Sequence, residues 1–414
     1  MGGSRDAEAT PRDCESGQEC YQFSGENFPT PAPCNTGVSI RQSAGGIDTL
    51  EVSLYGFWHP ESWNEIRPRF EKARGFAESG FVDQGKVLTD EGDVLLVEPT
   101  GIRKGVYCRF VINWQGCRIA IVDNAAPNEH RLSVHVTIGS IRLMEIGHQQ
   151  AWEDVCGLLQ SIGFHYGHSV VGRVDLCTDH ADQSMNEIKW TVDQCRTICR
   201  ARKQRIYSNR ANGNWETYQV GSGPMVLRIY DKALEVRNDP VKLALLVETR
   251  WGHACKEAVR VEFQLRNKAL QRHFSVRSVE DLFQQLGTIA KWCHSEWFRM
   301  VTAFDRKNRN HARATLTKFW ESVQKSFESW TGEAQPRTPK KRSLVPDFKQ
   351  LMQQAVGCIT SKVAHVEGNS FLDVWIDLGR KVACEANKAV ELKRLKLAAA
   401  ARVGPSVHES EIPF

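Results

Sequence analysis

Three stretches decide the fold of this chain: GRVDLCTD at residues 172–179, PMVLRIYDK at residues 224–232 and AVRVEFQLRNK at residues 258–268. Each is rich in β-branched and aliphatic residues at strand spacing, and each is therefore predicted to be a strand. All three contain an arginine, a β-branched residue and then a reactive side chain. The three triplets are Arg173-Val174-Asp175, Arg228-Ile229-Tyr230 and Arg260-Val261-Glu262.

The side chains of a strand alternate between its two faces, so the arginine and the reactive group of each triplet point the same way. The β-branched residue between them points into the core. On this reading Lys232 shares the face of Arg228 and Tyr230, and Gln264 and Arg266 share the face of Arg260 and Glu262. If the three strands are neighbours in an antiparallel sheet, one surface carries two carboxylates, a phenol and several guanidinium groups.

The rest of the chain mixes strands and helices without a regular βαβ alternation. Strands are predicted at 47–58, 132–140 and 215–222, and a hairpin over 103–123 turns at Gln115-Gly116. Helices are predicted at 61–79, 144–163 and 185–202, and a long helical stretch from Val279 to about Val323. The pattern predicts an α+β fold, with a largely antiparallel sheet and flanking helices.

Composition divides the chain into five segments. Residues 1–44 are rich in Gly, Ser, Pro and acidic residues and are predicted to be a disordered tail; the folded domain is placed at 45–328. A basic, Pro-rich linker at 329–347 precedes a helical region at 348–402 and a short tail at 403–414.

The overall composition is that of a globular protein, with 41% hydrophobic and 25% charged residues and no apolar stretch long enough for a membrane span. The net charge is +5. Residues 301–414 hold 19 Lys and Arg against 12 Asp and Glu, so the positive charge lies in the C-terminal part. The thirteen cysteines are scattered and are interpreted as reduced core thiols.

The patterned strands suggest phosphoryl-transfer chemistry. Carboxylates such as Asp175 and Glu262 suit Mg²⁺ or Mn²⁺, and arginines can bind two phosphate oxygens at once. Tyr230 beside such a site could act as a covalent nucleophile, activated by neighbouring cations such as Lys232 or by the metal. The plainer interpretation stays open: the carboxylates could be salt-bridge partners of the neighbouring arginines, and Asp179 could simply end a strand.

At these residues the chain resembles the replication initiation factor family, the trans-type rolling-circle Rep proteins of plasmids, filamentous phages and conjugative elements. The resemblance is carried, in the family's order, by IDTLEV (47–52), GRVDLCTD (172–179), LRIYDKALE (227–235) and VRVEFQL (259–265), within about residues 45–300. No HUH motif is present: His135 lacks a second histidine two residues on, and His165 and His168 have the wrong spacing.

The resemblance implies a diverged HUH-like nicking fold in which Tyr230 attacks an origin phosphodiester and becomes linked to the 5′ phosphate. It implies Arg228 and Lys232 as further catalytic residues, and Asp175, Glu262 and, by its place in the first motif, Asp48 as ligands of Mg²⁺ or Mn²⁺. Arg173, Arg260 and Arg266 are the expected DNA contacts.

The expected partners are origin DNA, single-stranded or hairpin at the nick, a host helicase and polymerase, and a second copy in a homodimer. The protein is expected in the bacterial cytoplasm, away from membranes. Two other functions remain open: a relaxase that starts conjugative transfer by the same chemistry, and an origin-binding regulator that does not cut. A hydrolytic nuclease that uses the same carboxylates would nick DNA without becoming attached to it.

Overall fold

The computed structural model describes residues 44–81, 84–123, 132–303 and 314–335. The strands are β1 (Gly45–Trp58), β2 (Lys86–Leu88), β3 (Val94–Val97), β4 (Ile102–Lys104), β5 (Val106–Cys108), β6 (Phe110–Trp114), β7 (Cys117–Ile121), β8 (Leu132–Ile138), β9 (Phe164–Ala181), β10 (Thr197–Cys199), β11 (Gln204–Ser208), β12 (Trp215–Ser222), β13 (Met225–Asp231), β14 (Ala258–Arg266) and β15 (Phe298–Met300).

The helices are α1 (Pro60–Glu78), α2 (Ser140–Ser161), α3 (Met185–Asp193), α4 (Lys232–Val236), α5 (Pro240–Leu246), α6 (Asn267–Phe274), α7 (Val279–Gln284), α8 (Leu286–Lys291) and α9 (Lys318–Thr331). Two short π-helical segments, Val247–Trp251 and Trp292–Trp297, follow α5 and α8.

Eleven of these strands form one sheet in the order β11-β12-β13-β14-β9-β1-β8-β7-β6-β3-β2, and every pairing in it is antiparallel. The predicted α+β class with a largely antiparallel sheet is confirmed. Strand β14 lies between β13 and β9, so the three patterned strands are direct neighbours. Their matching faces therefore form one continuous surface.

One face of the sheet builds the main hydrophobic core, and we call it the core face. It carries Val174, Ile229 and Val261, the β-branched residues of the three triplets, all fully buried. Aromatic side chains from the helices pack into the same cluster, among them Phe70 of α1 and Trp320 of α9. The alternation of strand side chains thus separates the core from the reactive groups, as predicted.

The opposite face carries Asp175, Arg228, Tyr230, Arg260 and Glu262, and we call it the polar face. Chain segment 232–251 packs against one end of it. Val236, Leu246 and Trp251 from this segment form a separate hydrophobic cluster with Ala258, which lies two residues before Arg260 and so on the same face. Part of the polar face is therefore shielded from water.

Two predicted helices are shorter than the sequence indicates. The helix predicted at 185–202 ends at Asp193, because Thr197–Cys199 form β10 and pair with β15. The same pairing interrupts the helical stretch predicted from Val279 to Val323: α7, α8 and a π-helical segment precede β15. Tertiary pairing overrides local helical propensity at both places.

The predicted hairpin over 103–123 is confirmed at its turn, but it is shorter than predicted, because β4 and β5 pair with each other in a separate two-stranded sheet. The hairpin of β6 and β7 turns at Gln115 and Gly116, with φ of 42° and 76°, as a two-residue hairpin turn of the primed type requires. The sheet domain extends to helix α9, whose last residues, 329–331, overlap the predicted linker. The N-terminal tail up to residue 43, the linker beyond residue 335, the helical region 348–402 and the tail 403–414 lie outside the described residues.

Among the helices that the structure describes, none combines the length and the hydrophobicity that a bilayer crossing requires.

The close approach of β1 and β9 at Gly56 gives a prediction about stability. A Cβ at Gly56 would stand 2.1 Å from the carbonyl oxygen of His165, where the register of the two strands shifts. Gly56→Ala should therefore lower the free energy of unfolding by about 1–3 kcal/mol, measured by urea denaturation. Gly157→Ala is the matched control: nothing lies within 4 Å of its Cβ in helix α2, so the variant should be as stable as the wild type or more stable. Equal stability of the Gly56 variant would contradict the prediction.

Candidate active site

Cross-strand pairing arranges the polar face in rows. Tyr230 lies opposite Arg260, which lies opposite Asp179. In the next row Arg228 lies opposite Glu262. Directly opposite residues of an antiparallel pair have their Cβ atoms about 5 Å apart, so each row brings reactive groups into contact. The juxtaposition that the sequence predicts for β13 and β14 is present.

Glu262 connects Tyr230 to Arg228. The Tyr230 hydroxyl donates a hydrogen bond to Oε2 of Glu262 at 3.0 Å, and Nη1 of Arg228 donates to Oε1 of the same carboxylate at 2.9 Å. Nη2 of Arg228 also donates to Oε1 of Gln264 at 2.8 Å. Glu262 is buried, whereas Tyr230 and Arg228 are partly exposed. The phenol is thus held by a carboxylate that an arginine fixes in place.

Arg260 lies fully buried beside Tyr230, although the sequence predicts that it contacts DNA. Its guanidinium pairs with the buried Asp179, with Nη2 donating to Oδ2 at 2.7 Å, and with the carboxylate of Asp48. In this structure Arg260 forms ion pairs with two carboxylates of the protein and has no exposed surface that a ligand could contact. Its predicted role is therefore corrected to a structural one.

A β-bulge explains why Asp48 reaches Arg260. The sequence places Asp48 in phase with Leu50 and Val52, which are buried on the core face. The register of β1 against β9 shifts between Ile47 and Thr49, and the extra residue, Asp48, turns its side chain to the polar face.

Asp175 lies on β9 opposite Gln264 and diagonal to Glu262. The Cα atoms of such diagonal neighbours are about 7 Å apart. Its carboxylate accepts hydrogen bonds from Arg173, with the Nε donor at 2.9 Å, and Arg173 also reaches Glu51 at 3.4 Å. Burial raises the pKa of Asp175 to about 7, and the negative charge of Glu262 adds to this rise, although Arg173 opposes it.

The pKa values of the neighbouring carboxylates Asp179 and Asp48 shift in the opposite direction. Burial raises the pKa of Asp179, but the buried guanidinium of Arg260 outweighs burial and holds that pKa below its ordinary value. Arg260 and Lys232 likewise outweigh burial at Asp48 and lower its pKa. The two carboxylates that face Arg260 are therefore charged at neutral pH, whereas Asp175 titrates near neutrality.

Lys232 is not on the strand face that the sequence predicts. Asp231 ends β13 and caps helix α4, its Oδ1 accepting from the Leu234 N–H at 2.9 Å, so Lys232 is the first helical residue. The lysine is nevertheless buried against the site: its Nζ lies 5.5 Å from the centre of the Tyr230 ring and forms an ion pair with Glu235. Burial and the charge of Arg260 lower the pKa of Lys232.

The Tyr230 hydroxyl is protonated in this resting arrangement. Burial raises its pKa well above the ordinary value of 10, and the charge of Glu262 raises it further, while Arg260 opposes the shift. The cations of the site do not offset these two effects, so the phenol of Tyr230 is not ionised. A reaction at this hydroxyl therefore requires a base that removes the proton during the attack, and Glu262 is already hydrogen-bonded to it.

The remaining predicted DNA contacts differ in exposure. Arg266 is exposed at the start of helix α6 and free to meet a ligand. Arg173 has 24% of its side chain exposed and is paired with Asp175 and Glu51. A DNA contact stays a prediction for both residues.

The predicted metal ligands fit a divalent cation in part. Within the described ranges no three His, Cys, Asp or Glu side chains come close enough together to hold a metal. The carboxylate of Asp48 is paired with the guanidinium of Arg260. Asp175 and Glu262 are a diagonal pair of carboxylates with mutual repulsion, which a cation would relieve. Two carboxylates with phosphate oxygens are a typical Mg²⁺ environment, so the pair fits and the trio does not.

Three residues of the site go beyond the sequence prediction. Asp179 and Glu51 pair with arginines of the polar face. Spacing gave a signal for Asp179, which is in phase with Asp175 on β9. It gave none for Glu51, which is out of phase with Asp48 and shares its face only because of the bulge in β1. Arg250 gave none, because it comes from a π-helical segment. Its guanidinium fills the space that a Cβ on Gly46 would need, and Nη1 is buried without a hydrogen-bond partner among the described residues.

Two other tyrosines of neighbouring strands, Tyr218 of β12 and Tyr207 of β11, can be compared with Tyr230. Tyr218 is buried on the core face and donates to Oε1 of Gln204 at 3.0 Å. Tyr207 lies opposite Thr217, which lies opposite Tyr230, so Tyr207 shares the polar face and is 48% exposed. Unlike Tyr230, it has no carboxylate partner in the described part of the chain.

No protein-family model matches this chain, and no curated protein matches it. Among solved structures, the chain is similar to a rolling-circle replication initiator protein from Geobacillus stearothermophilus, with 13% sequence identity and a TM-score of 0.42. The similarity covers 71% of this chain and 98% of that chain. A likeness this distant leaves the assignment of function to the side chains of the site.

The buried Arg260 gives a prediction about stability. Arg260→Met leaves Asp179 buried without its partner, and the loss of one member of a buried ion pair costs about 3–5 kcal/mol. Arg118→Met is the control, because Arg118 pairs with Glu98 at 2.7 Å but has 40% of its side chain exposed, and such pairs contribute at most about 1 kcal/mol. Urea denaturation at neutral pH measures both variants. If both variants lost the same free energy of unfolding, the prediction that the buried Arg260 pair contributes more than an exposed pair would be wrong.

The opposite pKa shifts of Asp175 and Asp179 predict opposite effects of pH on two variants. The raised pKa of Asp175 stabilises the native state fully below about pH 4, and this stabilisation is lost as the pH rises to about 7. Relative to wild type, Asp175→Asn should therefore gain stability between about pH 4 and pH 7. The lowered pKa of Asp179 gives a stabilisation that is present above its ordinary value of 3.8 and lost as the pH falls.

Asp179→Asn should accordingly be less stable than wild type at neutral pH, with a deficit that shrinks below about pH 4. Unfolding free energies measured across this pH range test both expectations. If the stabilities of both variants ran parallel to that of wild type, the assigned shifts would be wrong.

Proposed function

We propose that this protein nicks one strand of DNA with Tyr230 and remains covalently joined to the cut strand, as a rolling-circle replication initiator does. The observation that carries the proposal is the hydrogen bond from the Tyr230 hydroxyl to Glu262 at 3.0 Å, beside the partly exposed Arg228. A nucleophile held against a base, with a third group orienting that base, is the arrangement that covalent catalysis requires.

In the proposed reaction the Tyr230 oxygen attacks the phosphorus of a phosphodiester, and its proton passes to Oε2 of Glu262. The bond from phosphorus to the 3′ oxygen breaks, and that oxygen takes up a proton from solvent to become a 3′ hydroxyl. Tyr230 then carries the 5′ phosphate. The phosphotyrosine bond replaces the phosphodiester one for one, so attack by a 3′ hydroxyl can reverse the step without another energy source.

The neighbouring groups support this sequence of events. Because the pKa of Tyr230 is raised, the hydroxyl stays protonated until a phosphate is in place. Arg228 holds the second oxygen of Glu262, which keeps the base in position, and its exposed edge can offset charge on the phosphate. The buried Lys232 adds positive charge beside the Tyr230 ring.

Mg²⁺ or Mn²⁺ stays part of the proposal, with Asp175 and Glu262 as its protein ligands. When bound there, such an ion would neutralise charge on the non-bridging phosphate oxygens. Origin DNA is the proposed substrate, and a relaxase would use the same residues on a transfer origin.

Replacement of Tyr230 tests the proposal. The purified protein, Mg²⁺ and a supercoiled plasmid that carries the DNA flanking the gene should give nicked circles with covalently attached protein, seen on a denaturing gel after nuclease digestion. Tyr230→Phe should abolish attachment and leave DNA binding intact. Glu262→Gln should slow attachment by about 10²–10⁴-fold, the usual contribution of a general base.

Tyr218→Phe is the matched control and should attach normally, since this tyrosine is buried on the core face. Attachment that survives in Tyr230→Phe and maps to Tyr207 would reject Tyr230 as the nucleophile. Nicking without attached protein would indicate a hydrolytic nuclease, and binding without nicking would indicate a regulator. Either result would reject the proposed function.

A further inference from the structure

A cationic pocket lies at the other end of β13 from Tyr230. It has a volume of about 350 Å³, and Met225, the first residue of β13, is part of its wall. Tyr230 follows Met225 by five residues, which places the pocket roughly 17 Å from the phenol along the strand. Met225, Ala269 and Trp297 of the lining belong to the main core cluster, so the pocket lies at the end of the sheet beside the core face. Its basic lining comes from two separate parts of the chain: Arg202 and Lys203 before β11, and Lys268, Arg272 and His273 in helix α6.

The exposed Lys and Arg side chains of this pocket have no acidic partner among the described residues. None of its lining residues is acidic. Arg202, Lys203, Lys268 and Arg272 are exposed, and within the described ranges no carboxylate forms an ion pair with any of them. The arginines of the polar face differ, because Arg173, Arg228 and Arg260 each have a carboxylate partner. Four unpaired cations around one cavity indicate a polyanionic ligand.

Edge strand β11 leads from this pocket to the row of Tyr230. Lys203, just before β11, lines the pocket. Arg205 and Tyr207 alternate with their neighbours along β11, so these two point to one face. Arg205 lies opposite Gln219, which lies opposite Arg228. Tyr207 stands in the row of Tyr230, two strands and therefore about 10 Å away. All five residues of β11 are exposed.

We propose that the cationic pocket and the exposed face of β11 bind the backbone and bases of a single DNA strand and lead it to Tyr230. Cations that follow the phosphates, with an exposed aromatic side chain on which a base can stack, are the usual features of sites for single-stranded nucleic acid. This inference rests on the proposed function for its substrate, and it adds the surface by which that substrate is held.

The cations are tested by the salt dependence of binding. A labelled single-stranded oligonucleotide of about 16 nucleotides is titrated with the wild-type chain in EDTA, with anisotropy as the readout. Each lost phosphate contact lowers the slope of log K against log salt by about 0.7 for a single strand. The triple variant Lys203→Gln, Lys268→Gln, Arg272→Gln should therefore lose about 2 from the slope and bind about 100-fold more weakly at 0.1 M salt.

The matched triple variant Lys72→Gln, Lys318→Gln, Lys325→Gln removes the same charge from exposed positions on α1 and α9. It should bind like the wild type within a few fold. If the two triple variants bind equally, the pocket is not the DNA site. Both sets are exposed, so thermal unfolding at the wild-type midpoint confirms that each variant is folded.

The stacking role is tested on two tyrosines of equal exposure. Tyr207→Ala should weaken binding of the single strand at least about fivefold, the smaller end of the contribution of one stacked base. Tyr107→Ala, at 49% exposure on β5, should leave binding unchanged. The Tyr207 effect should be absent with a duplex of the same sequence, whose bases are already stacked. Equal effects of the two tyrosine variants would overturn the assignment of Tyr207.

The outcome for this inference is separate from that for the proposed function. If binding depends on the pocket but the Tyr230→Phe variant still attaches to DNA, the pocket and β11 remain the proposed DNA-binding surface, and Tyr230 is rejected as the nucleophile. If DNA attaches normally through Tyr230 and the pocket variant binds DNA as the wild type does, Tyr230 remains the proposed nucleophile and the pocket is rejected as the DNA-binding surface. A wild-type chain that binds no DNA would reject both.

Discussion

The buried guanidinium of Arg260 is the constraint on which the rest of the polar face depends. A charge with no exposure is tolerated only with well-placed partners, and here they come from two other strands: Asp179 of β9 and Asp48 of β1. Strand side chains repeat every two residues, so a slip of β14 by one residue would turn Arg260 into the apolar core. The ion pairs therefore fix the register of three strands. That register also sets Arg228 opposite Glu262 and brings the Tyr230 phenol to the same carboxylate.

The same constraint divides the carboxylates of the face into two kinds. Asp179 and Asp48 face a guanidinium that cannot leave, so their charges are permanent and structural. Asp175 and Glu262 are held by Arg173 and Arg228, which are partly exposed. These arginines can turn to a phosphate, and the carboxylates can then bind a cation. The raised pKa of Asp175 reflects this difference, since burial and a neighbouring negative charge are not fully offset there. A functional centre is expected where charge compensation is incomplete.

The sequence predicted the shared surface but not its details. Alternation placed the arginine and the reactive group of each triplet on the same side of their own strand, because the period of a strand needs no tertiary information. The shared face of Asp175, Tyr230 and Glu262 also depends on the pairing of β13, β14 and β9, which the sequence offered only as a condition. The bulge at Asp48 depends on pairing with β9, and the capping of α4 by Asp231 removes Lys232 from the strand; neither follows from alternation. The full burial of Arg260 was also not predictable, since it results from helices that pack over the sheet. The cationic pocket joins residues near 202 and 270, which no local pattern relates.

Two groups of cations in one domain serve different physical purposes. A guanidinium already paired with a carboxylate neutralises little of the charge on a phosphate and so releases few counterions from the DNA. The polar face can therefore add little to affinity. It can, however, hold reacting atoms without reorganisation, which is what stabilises a transition state. The cations of the pocket and β11 have the opposite character: they are exposed and have no carboxylate partner in the described ranges. They can neutralise phosphates and so release the counterions that the DNA carries. In the proposed function, DNA affinity and chemistry therefore lie at different ends of the same strands, and the length of β13 sets the distance between them.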